Sequence, residues 1–207
     1  RQRQMCIRER SKTIKNAVIF GCKGPRLTGV EFDFFKETLP FGFILFSRNI
    51  VNAKQINELC QSLRDAVGWY APILIDQEGG RVQRIKPPLA LDRLPPIDEA
   101  QKAGQKAKSV FKIRFSSIAN ELLSLGIDFN CAPVLDIARP TTHRFLRNRC
   151  YGVNKSDVIS LGRVAYDALK SNGVFPTKTS KLLASTYVIG IHLPLTGSPT
   201  LGYDFSV

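Results

Sequence analysis

Ile73-Leu74-Ile75-Asp76-Gln77-Glu78-Gly79-Gly80-Arg81-Val82-Gln83-Arg84 is the stretch whose reading decides the fold. An apolar run this short, closed by an acid, reads as a buried parallel strand delivering polar groups to the end of a sheet. Two glycines then let the backbone turn sharply or come close to a ligand. In a (β/α)8 barrel, acids at the carboxyl ends of strands face the end where sites are built, so Asp76 is a candidate by position. A rim salt bridge between Asp76 or Glu78 and Arg81 or Arg84 is the plain structural alternative, because structural ion pairs gather in the same places.

Outward from this stretch, strand and helix signals alternate. Residues 17–20 and 43–46 read as strands before it, and residues 127–132 and 174–177 as strands after it. Thr28-Gly29-Val30-Glu31 has capping-box spacing, with Val30, Phe34, Phe35 and Leu39 as the apolar face of a helix that ends before Pro40. Asn52 caps a second helix, whose Ile56, Leu59, Leu63 and Val67 repeat at helical spacing up to Gly68. Beyond the Pro-rich loop from Pro87 to Pro96, residues 98–125 read as one long helix, Lys and Arg on its solvated face, stopped by Gly126. A further helix starts at Ser156 or Asp157, turns Ile159, Leu161, Val164, Ala165 and Leu169 inward, and closes at Asn172-Gly173. This rhythm predicts an α/β fold with about five parallel strands. Asp136 repeats the placing of Asp76, and His143, Arg144, Arg147 and Arg149 form a cationic cluster at the same inferred rim. No matching His, Asp or Glu set gives His143 a metal to share.

The 207 residues suit one sizeable domain but are short for a closed barrel, which takes about 250. The net charge of +13 invites an anionic partner, yet Lys and Arg are scattered rather than blocked. Residues 1–10, with four arginines, have no helical or strand period and are read as a leader outside the fold. Five cysteines without ligand spacing suggest a reduced chain, and no apolar stretch is long enough to span a bilayer. Phosphate-cradling glycine motifs and the G-x-S-x-G nucleophile elbow do not occur.

Three segments together resemble the family 3 glycoside hydrolases: Asp76 to Arg84, the Gly126-Ile127-Asp128-Phe129-Asn130-Cys131-Ala132-Pro133-Val134-Leu135-Asp136 run, and Asn148-Arg149-Cys150-Tyr151-Gly152. Within that family the chain is similar to the bacterial cytoplasmic β-N-acetylhexosaminidases (β-N-acetylglucosaminidases) of peptidoglycan recycling, in colinear order from about Ser11 to Thr177. The resemblance implies an incomplete (β/α)8 TIM-type barrel over residues 11–177, followed by a divergent tail over residues 178–207. It implies removal of terminal N-acetylglucosamine from β-linked, peptidoglycan-derived sugars in the cytoplasm. The partner is then a carbohydrate, an N-acetylglucosamine-containing muropeptide, with no cofactor, metal, nucleic acid or membrane. Asp76 matches the family aspartate that binds hydroxyls of the N-acetylglucosamine ring, and Arg84 and Arg149 match sugar-binding arginines. Spacing alone would pair Asp76 with Asp136 as catalytic acids; the resemblance instead assigns catalysis to a later aspartate and to a loop histidine after the fifth strand. Where the family has Lys-His-x-Pro-Gly-His-Gly, this chain reads Lys178-Thr179-Ser180-Lys181-Leu182-Leu183, and His192 does not restore the motif. No catalytic residue is therefore identifiable, and the expectation is a chain truncated or frameshifted after Thr177 that does not turn over. The alternatives are a sugar- or anion-binding α/β module without catalysis, with Arg144, Arg147 and Arg149 as the anion loop, and a basic module for polyanions.

Overall fold

A βαβ unit opens the described residues because a capped, amphipathic helix links two apolar strands. The computed structural model describes residues 16–177, which fall into two units, residues 16–73 and 74–177. The expected leader and tail lie outside the described residues. In the first unit β1 (Asn16–Gly21) runs parallel to β2 (Pro40–Leu45), in a register that pairs Phe20 with Phe43. Between them α1 (Gly29–Thr38) starts with the expected capping box: Thr28 Oγ1 accepts from the Glu31 N–H at 3.2 Å, and the Glu31 carboxylate accepts from the Thr28 N–H at 3.0 Å. Phe35 carries the buried face, ringed by Phe20, Phe34 and Phe43, whereas Val30, expected inward, is exposed on the first turn. Asn52 caps α2 (Ala53–Val67), which buries Ile56, Leu59, Leu63 and Val67 and ends at left-handed Gly68.

The loops that follow β1 and β2 are tied by neutral amides. Asn49 is fully buried; its Nδ2 donates to the Cys22 and Gly24 carbonyls at 3.1 and 2.8 Å, and its Oδ1 accepts from the Phe46 N–H at 2.9 Å. Gln55 Nε2 in turn donates to the Asn49 carbonyl at 3.0 Å. A buried amide with its donors and acceptors satisfied costs nothing in unpaired groups and fixes the loop.

The second unit begins within β3 (Ile73–Ile75) and contains the hairpin strands β4 (Gln77–Gly79) and β5 (Val82–Gln83), α3 (Pro96–Ala103), α4 (Ala107–Ser124), β6 (Phe129–Asn130), α5 (Arg144–Arg147), α6 (Lys155–Ser171) and β7 (Phe175–Pro176). Its strands run β3–β6–β7, all parallel, with Ile75 opposite Asn130 and Asn130 opposite Pro176. The five expected strands therefore all form, the later ones shorter than expected. Helices α4 and α6 pack together, burying Phe111, Phe115, Ile118 and Leu122 on one side and Leu161, Ala165 and Leu169 on the other.

Three expectations need correction here. The long helix over residues 98–125 is two helices, because Gly104 takes a positive φ of 52° that a helix interior does not allow. Its basic residues are not all on a solvated face, since Arg114 is buried. The cap of α6 is Asn154, whose Oδ1 accepts from the Asp157 N–H at 2.9 Å, so Asp157 is the third helical residue; Ile159 stays exposed on the outer face.

Candidate functional site

The end of β3 leads straight into the β4–β5 hairpin, so residues 76–78 continue the strand and alternate in direction. Gln77 points inward: its Nε2 donates to the Ile85 carbonyl at 2.9 Å, and its Oε1 accepts from the Ile85 N–H at 3.0 Å. Asn130 closes the other side of the same residue, accepting from the Gln77 N–H at 3.0 Å and donating to the Gln77 carbonyl at 2.9 Å. Two side-chain amides thus continue the ladder where the sheet stops. Asp76 and Glu78, two residues apart, take the opposite face together.

Each acid meets an arginine. Asp76 Oδ2 accepts from Arg84 Nη2 at 3.0 Å, with the side chains 24% and 29% exposed. Glu78, whose side chain is only 1% exposed, accepts from Arg149 Nε at 2.9 Å and from Arg149 Nη2 at 2.7 Å, a two-bonded, side-on pair. Burial pushes the Glu78 carboxyl above its ordinary range, and the Arg149 guanidinium works against that rise. Burial also opposes the charge on Arg149, but the bonds from Glu78, with the charges of Asp76 and Asp136, outweigh it and hold the guanidinium protonated. Arg84 and Asp76 act on Glu78 as well, so two carboxylates and two guanidiniums form one electrostatic array.

The two glycines are dictated by what surrounds this strand end. Gly79 has φ 88° and Gly80 has φ 65°, left-handed conformations that side chains resist. A Cβ on Gly79 would run into the Arg114 guanidinium, and one on Gly80 would stand 2.7 Å from Pro95 Cα. Arg114 fills that space because its Nη2 and Nε donate to the Glu78 carbonyl at 2.7 and 3.3 Å. It is ion-paired to Glu99 at 2.6 Å and donates to the Leu94 carbonyl at 3.0 Å. The sequence carried a signal for this residue: Arg114 stands three after Phe111 and four before Ile118, on the buried stripe of α4.

Structure sorts the remaining candidates. Asp76, Arg84 and Arg149 come together around the strand end. Asp136 lies near enough for its charge to support Arg149 and, after burial, to help raise the Cys150 thiol, and so flanks the array. Of the alternative rim pairs, Asp76–Arg84 forms, whereas Glu78 takes Arg149 and Arg81 lays its guanidinium 3.6 Å from the centre of the Phe145 ring. The proposed anion loop does not converge: Arg147 Nη1 donates to the Arg139 carbonyl at 2.9 Å, Arg144 sits beside Phe145, and Arg149 turns to Glu78. His143 caps the short α5, its Nδ1 accepting from the Phe145 N–H at 3.3 Å. Tyr151, buried against Phe111 with ring centres 5.0 Å apart, anchors the Arg149 loop. Burial first, and then the charge of Asp76, raise the Cys131 thiol well above its ordinary value, which leaves it without thiolate character. Among the described residues, no group of three or more His, Cys, Asp and Glu side chains could hold a metal, and no helix is long and apolar enough to cross a membrane.

The glycosyl hydrolase family 3 N terminal domain matches residues 33–180 of this chain. The chain belongs to that family. This family 3 chain is 30% identical over 164 residues to a beta-hexosaminidase of Haemophilus influenzae, covering 78% of the chain and 46% of that protein. It is 31% identical over 163 residues to the beta-hexosaminidase of Psychromonas ingrahamii, with 77% and 47% covered. Among solved structures, NagZ from Neisseria gonorrhoeae in complex with N-trifluoroacetyl-D-glucosamine superposes with a TM-score of 0.72 at 26% identity, covering 79% of this chain and 49% of that one. A family 3 β-N-acetylglucosaminidase from Paenibacillus gives 0.70 at 26% identity, with 79% and 31% covered. The family 3 chain spans about half the length of the curated relatives it matches. Its α/β architecture, with parallel strands and covering helices, is part of the family's barrel-type N-terminal domain.

Proposed function

We propose that Asp76, Arg84 and Arg149 form the N-acetylglucosamine-binding rim of a β-N-acetylhexosaminidase, a retaining glycosidase acting on terminal β-linked N-acetylglucosamine. The observation that supports it most is the array itself: two guanidiniums from distant parts of the sequence meet two acids on one face of a single strand end. Guanidinium N–H groups donate to sugar oxygens and a carboxylate accepts from sugar hydroxyls, which is the polar complement a hexose needs. Asp76 is the group best placed to exchange its arginine for a ligand, being part-exposed and held by Arg84 through one bond.

Retaining hydrolysis requires a carboxylate nucleophile and an acid/base that first assists the leaving group and then activates water. In this reading neither role falls to Asp76 or Asp136, and the 207-residue chain binds sugar without turning it over. Sugar contacts alone, equal in ground and transition states, give no acceleration of the chemical step. The motif resemblance supports a muropeptide-derived substrate and action in the cytoplasm. Calorimetric titration of the chain with N-acetylglucosamine and with glucose, beside a chromogenic N-acetyl-β-glucosaminide assay, tests the reading. Saturable binding of N-acetylglucosamine, weaker for glucose and lost in Asp76→Ala, with no chromophore released, is expected. Absence of binding contradicts the site; turnover that Asp76→Ala abolishes contradicts the statement that this chain is inactive.

A further inference from the structure

We propose that Glu78 is a positioning residue: it holds Arg149 side-on so that the guanidinium's remaining Nη1 edge is presented to the sugar. The inference rests on the sugar-binding reading of Arg149 above. Arg149 uses Nε and Nη2 on Glu78, and Nη1 takes no hydrogen bond among the described residues. Its side chain is 25% exposed while that of Glu78 is 1% exposed, so the guanidinium reaches solvent and the carboxylate behind it does not. Two parallel bonds fix the plane of a guanidinium as well as its position, which one bond cannot do. A long side chain held in its binding geometry beforehand loses less freedom when ligand arrives.

Glu78 is itself immobilised from behind. Its backbone carbonyl receives two N–H groups of Arg114, and Arg114 is anchored by the Glu99 carboxylate and the Leu94 carbonyl. Gly79 leaves the room that this guanidinium occupies. The chain of support therefore runs from Glu99 through Arg114 to the Glu78 backbone, and from the Glu78 side chain to Arg149. Glu78 touches no ligand in this scheme, and it acts through Arg149 alone.

A double-mutant cycle on the full chain tests this, with N-acetylglucosamine as the probe, affinity read by calorimetry and folding checked by circular dichroism. Glu78→Gln is expected to weaken binding by about tenfold or more, the scale of a small misplacement of a binding group. Arg149→Ala should weaken it at least as much, and Glu78→Gln added to Arg149→Ala should cost no further affinity. Arg149→Lys keeps the charge beside Glu78 but not the fork; it should bind as weakly as Glu78→Gln, which keeps the test open if another variant fails to fold. Unchanged affinity in Glu78→Gln and Arg149→Lys, or losses that simply add, would overturn the positioning role while leaving the sugar site standing. Failure of the unsubstituted chain to bind would overturn the site and this inference together, and is recognised before any substitution is made.

Discussion

Asp76–Arg84 and Glu78–Arg149 are made of the same groups, two residues apart on one extended segment, and they differ in burial and in reach. The first joins residues of one hairpin through a single bond, with both side chains about a quarter exposed. The second joins distant segments through two bonds to a carboxylate out of contact with water. An exposed pair is worth little and gives way easily. A buried pair is costly to break from one side, because the abandoned charge has nowhere to go. On the proposed sugar-binding reading, the part-exposed pair is the one that exchanges with a ligand and the buried pair holds the frame.

Breaking the closed pair should have the largest effect. Arg149→Ala is expected to cost about 3–5 kcal/mol in urea unfolding, and Glu78→Gln in the same chain should restore part of that loss. An equal loss in the single and double variants would mean that the stranded carboxylate is not the cause. The hairpin carrying both acids comes next. Gly80→Ala forces a side chain into φ 65° against Pro95 and should cost about 1–3 kcal/mol, read as a lowered melting temperature. Opening the part-exposed pair comes third: Arg84→Ala should lower stability by about 1 kcal/mol, yet weaken N-acetylglucosamine binding clearly. A large stability loss there would make the two pairs alike.

The smallest effect is on pH dependence. Glu78 has its carboxyl raised above the ordinary 4.5, chiefly by burial, so the folded chain holds that proton more tightly than the unfolded one. Its contribution to stability is then complete below 4.5 and declines as pH rises through the folded value. Stability of the unsubstituted chain relative to Glu78→Gln should accordingly fall between acid and neutral pH, followed by urea titrations at each pH. A relative stability that rises instead would mean that Arg149, not burial, governs the carboxyl.

Local signals carried the βαβ unit, the capping box at Thr28, the cap at Asn52 and the strand end at Asp76, because spacing along the chain encodes them. The pairing of Glu78 with Arg149 was not legible in spacing: seventy-one positions separate them, and only the sheet order brings them together. Arg144, Arg147 and Arg149 look equivalent in the sequence, and tertiary partners make them three different residues. Arg114 was misread for another reason, since a guanidinium on a buried stripe is stable only where a carboxylate and backbone carbonyls await it. Gly104 broke a pattern that its neighbours continued on both sides. The family motif supplied the roles proposed for Asp76, Arg84 and Arg149, and geometry supplied the contacts behind them.

The most direct measurement is an NMR titration of the isotope-labelled chain with N-acetylglucosamine, following the side-chain Nε–H resonances of Arg84 and Arg149. The account predicts that both move along saturable curves with one dissociation constant, together with the backbone signals of residues 76–80. Signals that stay fixed at these residues, or that move only elsewhere in the chain, would contradict a sugar site at this strand end.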